Sequence, residues 1–272
     1  MIVKHNMAAL NANRQLGSTN KSLAKNTEKL SSGYRINRAA DDAAGLSISE
    51  KMRGQIRGLN QASTNAADGQ SLIQTAEGAM GEIHSVLQRM RELTVQAAND
   101  TNVTADRNAI AKEVTALTEE IDRIATQTQF NTMNLLDGNF KDKNLQVGAN
   151  ASQAIKISIA ELTASGLSVN DVKTKLGSHG TATAAITTVN TAIEKVSGQR
   201  SHLGALQNRL DHTIANADNM AENLQSSESK IRDVNMASEM VAYSANSIIQ
   251  QAGQSMLAQA NQATQGVLSL LR

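Results

Sequence analysis

Residues 43 to 98 read AAGLSISEKMRGQIRGLNQASTNAADGQSLIQTAEGAMGEIHSVLQRMRELTVQAA. Apolar residues recur here in steps close to three and four, the spacing of one face of an α-helix. They are Leu46, Met52, Ile56, Leu59, Ala62, Ala66, Ile73, Met80, Ile83, Leu87 and Met90. Proline, which breaks helix interiors, is absent from the chain. The spacing therefore predicts nearly one continuous helix of roughly 80 Å, which cannot bury its apolar face alone.

Two later segments carry the same periodicity and predict partners for this helix. Apolar residues from Ile110 to Ile124 follow in four-three steps, which predicts a third helix folding back antiparallel on the second. Helical spacing returns from Ile186 to Ile231, giving a second long rod. We expect the two rods to pack together.

Between these helices the chemistry changes. Leu145 and Val147, and then Ile155 with Ile157, alternate with polar residues, which predicts a β-hairpin near 144–159. From 161 to 185 the apolar period is lost and glycines appear. We interpret that segment as a short exposed insertion.

The two ends of the chain predict helices that seek helical partners. Leu16, Leu23 and Leu30 recur every seven residues, the spacing of one coiled-coil position. Residues 236–272 are rich in Gln, Ala and Ser and almost uncharged. Their apolar residues would leave an exposed stripe in a monomer, so further copies of the chain are expected to cover it. The residues expected to carry self-assembly are Leu16, Leu23, Leu30, Ile248, Met256, Leu257, Leu268 and Leu271.

The predicted fold class is therefore mainly α: a long-helix coiled-coil rod with paired N- and C-terminal helices and a small β-hairpin. Composition argues against other classes of function. Only four residues are aromatic, so bases have little to stack on, and the terminal helix lacks the basic face and Trp anchors of a membrane-binding helix. Five histidines at no metal-ligand spacing, no cysteine and no nucleophile motif predict no metal, no cofactor and no catalytic site.

Several motifs resemble bacterial flagellin. Near the front these are LSSGYRIN at 30–37 and AADDAAGL at 39–46; near the end they are SMLAQANQ at 255–262 and the closing run 267–272. QRMREL at 88–93 and QTQFN at 127–131 are also similar to the family's inner motifs. The likeness covers essentially the whole chain except about 161–185, so it resembles a short flagellin with a minimal outer domain.

The resemblance implies a subunit that polymerises into the extracellular flagellar filament for swimming motility, after export by the flagellar type III apparatus without a cleaved signal peptide. It implies an inner coiled-coil domain of 1–40 plus 236–272 and a rod domain of 41–235. Expected partners are other copies, an export chaperone, the filament cap and the hook-junction proteins.

The family's site for the flagellin-sensing Toll-like receptor falls, by resemblance, on Arg89, Leu93 and Glu113. Two alternatives to a filament subunit remain open from the residues alone. A hook–filament junction protein would share the terminal architecture. A secreted helical effector or pore-former would instead turn residues 267–271 against membranes.

Overall fold

A computed structural model describes residues 5–270, with side chains to residue 263. Its helices are α1 (Met7–Ser32), α2 (Ala43–Ala97), α3 (Thr104–Gln127), α4 (His179–Arg232) and α5 (Met236–Leu270). Its strands are β1 (Gln129–Phe130), β2 (Met133–Asn134), β3 (Lys143–Gln146) and β4 (Ala154–Ile157). The predicted mainly α fold class is confirmed.

The chain divides into two compact units. Unit 1 contains Met1–Gly54 and Asn223–Arg272, and unit 2 contains Gln55–Glu222. These boundaries lie inside α2 and α4, whereas the resemblance placed the layer boundaries at 40/41 and 235/236. The layers of an assembled polymer stay a prediction.

Unit 2 is built around an apolar helical core. Met80, Leu87 and Met90 of α2, with Val114 of α3 and Leu203 of α4, are completely buried. The antiparallel course of α2 and α4 is visible in the ion pair of Glu77 with Arg200 (3.5 Å) and the hydrogen bond of Gln70 to Asp211. The apolar spacing read from the sequence therefore does face the interior of this unit.

A β-hairpin lies where the alternation predicts one. β3 and β4 pair antiparallel, with Leu145 opposite Ile155. The β4 residues Ile155 and Ile157 face the core, while their neighbours Ala154 and Lys156 are exposed. The hairpin is thus one more apolar layer of unit 2.

The prediction of an exposed insertion at 161–185 is wrong for most of its length. Six of its apolar side chains are at most 2% exposed: Leu162, Ala164, Leu167, Val169, Val172 and Leu176. Asp122 of α3 also accepts a hydrogen bond from the Ala164 N–H (2.8 Å). The segment buries its apolar residues without regular periodicity, using a 3-10 turn at Val172–Leu176, so no helical or strand spacing signals its burial.

In unit 1, α1 and α5 run antiparallel along each other, as the predicted pairing of the terminal helices requires. Asn6 caps α1 by accepting from the Ala9 N–H (3.0 Å) and donates to the Ala260 carbonyl (2.9 Å). Toward the other end of the pair, Lys29 lies 3.6 Å from Glu239. Contacts therefore extend along most of α1.

The connector 33–42 folds back on α1. Lys25 pairs with Asp41 (2.8 Å) and Glu28 with Arg38 (3.0 Å), while Ile36 is buried beneath the turn. The Lys25 ammonium, followed by the Arg38 N–H, donates hydrogen bonds that lower the pKa of Asp41 to about 2. The carboxylate thereby ties the start of α2 to the N-terminal helix.

Candidate self-association surface

The contact between α1 and α5, here called the seam, is lined mainly by small and polar residues. On α1 the seam positions recur in steps of three and four residues. Every second position holds a small or polar residue: Ala12, which is half-buried, and then Thr19 and Asn26, which are buried. On α5 the seam positions are Glu239, Tyr243, Asn246, Gln250, Gly253, Leu257 and Ala260. Apart from Tyr243 and Leu257, these α5 side chains are small or polar, and the other large apolar residues of the seam are leucines of α1.

A polar network at one end of the seam joins the two helices. The Asn26 amide, oriented by its donors and acceptors, donates to Glu239 (3.0 Å) and accepts from Asn246 Nδ2 (3.0 Å). Farther along, Gln250 donates to Asn20 (2.8 Å). Buried hydrogen bonds need matched partners, so such a seam favours one register over its alternatives.

Up to residue 263, most of the large apolar residues of α5 point away from α1, Leu257 being an exception. We call Met240, Val241, Ile248, Ile249 and Met256 the outer face; each is at least half exposed, and Val241 reaches 70%. The one charged side chain on α5 is Glu239, which is turned into the seam. An isolated chain thus presents an uncharged apolar surface to water.

The predicted self-assembly residues fall into three groups. Leu16, Leu23 and Leu30 lie half-buried in the seam with Leu257. Ile248 and Met256 lie on the outer face. The Leu268 side chain and Leu271 lie outside the described residues.

Sequence reasoning missed the polar half of the seam. Thr19 and Asn26 come three residues after Leu16 and Leu23. That spacing places them at the second of the two core positions in each heptad. A search for polar as well as apolar residues at that spacing would have found them.

Arg89 and Glu113 form an exposed ion pair between α2 and α3 in unit 2. Two guanidinium nitrogens of Arg89 donate to Glu113 Oε1 (3.0 and 2.8 Å), and Glu92 accepts from the same guanidinium (3.0 Å). Glu113, ahead of Glu92, raises the pKa of Arg89. Leu93, the third residue of the receptor prediction, is 2% exposed and belongs to the core.

Comparison with known sequences decides the family. Residues 3–141 match the bacterial flagellin N-terminal helical region, and residues 186–271 match its C-terminal helical region. The chain belongs to the bacterial flagellin family. Flagellins are structural proteins, so the prediction that the chain is not an enzyme is confirmed.

Relatives align with this flagellin along its whole length. It is 54% identical to flagellin from Halalkalibacterium halodurans over 272 residues and 51% identical to flagellin from Bacillus subtilis over 304 residues, with both chains fully covered each time. A solved structure from Vibrio parahaemolyticus, described as a flagellar hook-associated protein, aligns with a TM-score of 0.61 at 12% identity. The alignment covers 71% of this chain and 100% of that one. The latter likeness concerns the fold alone.

Family membership gives this flagellin its general role. It is a subunit that self-assembles into the extracellular flagellar filament, as predicted. Among residues 5–270, no helix combines the length and apolar character needed to cross a membrane.

Proposed function

We propose that the outer face of α5 is the surface through which this flagellin packs against neighbouring copies, while the polar seam fixes how α1 and α5 pair. The observation that carries the proposal is the position of five large apolar residues of α5, which lie on its outer face and are at least half exposed. The seam, in contrast, combines half-buried leucines with polar residues. Exposed apolar patches of this kind mark interaction surfaces.

The chemistry of the outer face fits a second copy of the same chain. No charge on the face needs an opposite charge on a partner, and an aliphatic surface is best covered by another aliphatic surface. Met7 and Leu10 of α1 are also about two-thirds exposed, and supply such a surface on each neighbouring copy.

Seeded polymerisation tests this surface. Ile248→Glu places a charge on the outer face, where the side chain is 66% exposed, and Val103→Glu makes the same change at a 62% exposed site in unit 2. Both variants should keep the far-ultraviolet circular dichroism of the native monomer. We expect only Ile248→Glu to stop elongation from filament seeds; native elongation by Ile248→Glu would refute the proposal.

We further infer that the export chaperone, the filament cap and the hook-junction proteins bind the same outer face. Before assembly it is the large uncharged apolar surface of α5, and a protein that escorts or caps the subunit must shield it. Ile248→Glu should then weaken chaperone binding in a pull-down, while Val103→Glu should not. Delivery through the flagellar type III apparatus is consistent with this order of events.

A second proposal concerns immune recognition of released monomer. Arg89 and Glu113 display both charges on adjacent helices, 52% and 46% exposed, while Leu93, one turn after Arg89, is buried. Arg89→Ala with Glu113→Ala should weaken binding to soluble flagellin-sensing Toll-like receptor. The matched control removes another exposed pair, Arg123 and Glu120 of α3. Unchanged binding by the first double variant would count against the site.

A further inference from the structure

Two pairs of methionines among the described residues lie in contrasting environments. Met80 and Met90 are completely buried in unit 2. Met240 and Met256, on the outer face of α5, are 50% and 62% exposed. Thioether oxidation follows access to the oxidant, so these two pairs differ in susceptibility.

We propose that Met240 and Met256 are an oxidation site through which hydrogen peroxide blocks filament assembly. The inference rests on the proposed role of the outer face. The thioether sulfur attacks one peroxide oxygen, the O–O bond breaks, and an S–O bond forms as water leaves. Sulfur is oxidised by two electrons and the peroxide is reduced, giving methionine sulfoxide.

Oxidation changes the outer face from apolar to polar. A sulfoxide oxygen is a strong hydrogen-bond acceptor, and the other side chains of the outer face, Val241, Ile248 and Ile249, carry no donor. A subunit that docked in this state would bury an unsatisfied polar group at the contact. Peroxide should therefore act on free subunits, whereas neighbouring copies would shield the same sulfurs in a filament.

The test uses the full chain and a matched pair of double variants. Met240→Leu with Met256→Leu removes both sulfurs but keeps the apolar volume. Met133→Leu with Met220→Leu removes two sulfurs from unit 2 that are 41% and 48% exposed. Each monomer receives a peroxide pulse, catalase stops the reaction, and seeded elongation is measured alongside peptide mass spectrometry.

We expect native chain and the Met133/Met220 variant to elongate about tenfold more slowly or worse after the pulse, because each buried unpaired oxygen opposes docking. The Met240/Met256 variant should lose much less, and its remaining loss should follow oxidation of Met7, which is 66% exposed on the proposed partner surface. Mass spectrometry should find oxygen added at Met240 and Met256 but not at Met80 or Met90, and methionine sulfoxide reductases should restore the native chain.

Two results would overturn the inference: equal inhibition of the Met240/Met256 variant, or unchanged elongation of native chain fully oxidised at both positions. Failure of the proposed function would give a different result from failure of this inference. In that case unoxidised Ile248→Glu would elongate normally, whatever the peroxide result.

Discussion

The α1–α5 pair and the core of unit 2 are both made of long antiparallel helices, yet the side chains that they bury most completely differ. Unit 2 encloses Met80, Leu87 and Met90 completely, while the seam encloses Thr19 and Asn26. Hydrocarbon burial is the main favourable term in folding, so unit 2 contains its own source of stability. The terminal pair only half-buries its leucines and leaves the five apolar residues of the outer face exposed, where another copy can bury them.

The prediction with the largest expected effect truncates one apolar side chain in each region. Leu87→Ala should lower the free energy of unfolding of the monomer by about 2–5 kcal/mol, the range for a leucine removed from a packed core. Ile248→Ala, at a 66% exposed position, should change it by less than about 0.5 kcal/mol. Urea unfolding of monomers followed by circular dichroism measures both values. Equal losses would show that the outer face already contributes to the monomer.

Within unit 1, two glycines of α2 lie in different surroundings: Gly45 is tightly packed and Gly54 borders open space. A Cβ on Gly45 would lie 2.9 Å from Asp42 Cγ and 2.9 Å from Ile36 Cδ1, whereas one on Gly54 meets nothing within 4 Å. Gly45→Ala should therefore cost about 1–3 kcal/mol through overpacking at the start of α2. Gly54→Ala should stabilise the helix by up to about 1 kcal/mol. Thermal unfolding compares them, and a stabilising Gly45→Ala would contradict the packing described.

The seam is expected to set register more than stability. Leu16 Cδ1 lies 3.4 Å from the Cβ position of Gly253, and the chain has no cysteine, so introduced thiols are unambiguous. Leu16→Cys with Gly253→Cys should form a disulfide, while Leu16→Cys with Ala260→Cys, one heptad away, should not. Adding Asn26→Leu should raise the yield of the disulfide between positions 16 and 260 and change the free energy of unfolding by only about 1 kcal/mol. An unchanged ratio of the two disulfides would remove Asn26 from register control.

The smallest expected effect is a pH dependence of the connector. The pKa of Asp41 is depressed from 3.8 to about 2, so its contribution is complete above 3.8 and is lost as pH falls toward 2. Amide hydrogen exchange of residues 34–42, measured relative to the intrinsic exchange rate at each pH, should accelerate over that interval. Asp41→Asn should exchange faster at neutral pH and lose the dependence, whereas Asp218→Asn on α4 should behave as native. A native connector insensitive to pH would contradict the Lys25–Asp41 tie.

Much of the fold follows from the sequence because period and burial agree. The second helix was expected to span residues 43–98 and spans Ala43–Ala97, since its apolar steps face a real core and no proline interrupts them. The hairpin was equally legible from alternation at Ile155 and Ile157. The residues near 161–178 were not, because their buried positions follow an irregular backbone with no fixed period.

The candidate surface was only partly predictable. Heptad leucines located the seam on α1, but periodicity alone does not tell which face of α5 turns inward. Its apolar stripe was expected to be exposed in a monomer, but the residues of the side that faces α1, among them Glu239, Asn246 and Gly253, were not identified from the sequence. In the observed orientation, Asn26 hydrogen-bonds to Glu239 and Asn246, and Lys29 pairs with Glu239. These polar contacts form only when this side of α5 faces α1.

The inward turn of Glu239 has a consequence for the ionic conditions under which subunits join. Mobile ions weaken attraction or repulsion between exposed charges more than about 10 Å apart at 0.1 M salt. With its one charged side chain already paired with Lys29, the outer face of α5 has no charges for such ions to screen. Added salt should therefore not weaken assembly through this face, from dilute buffer to concentrated salt.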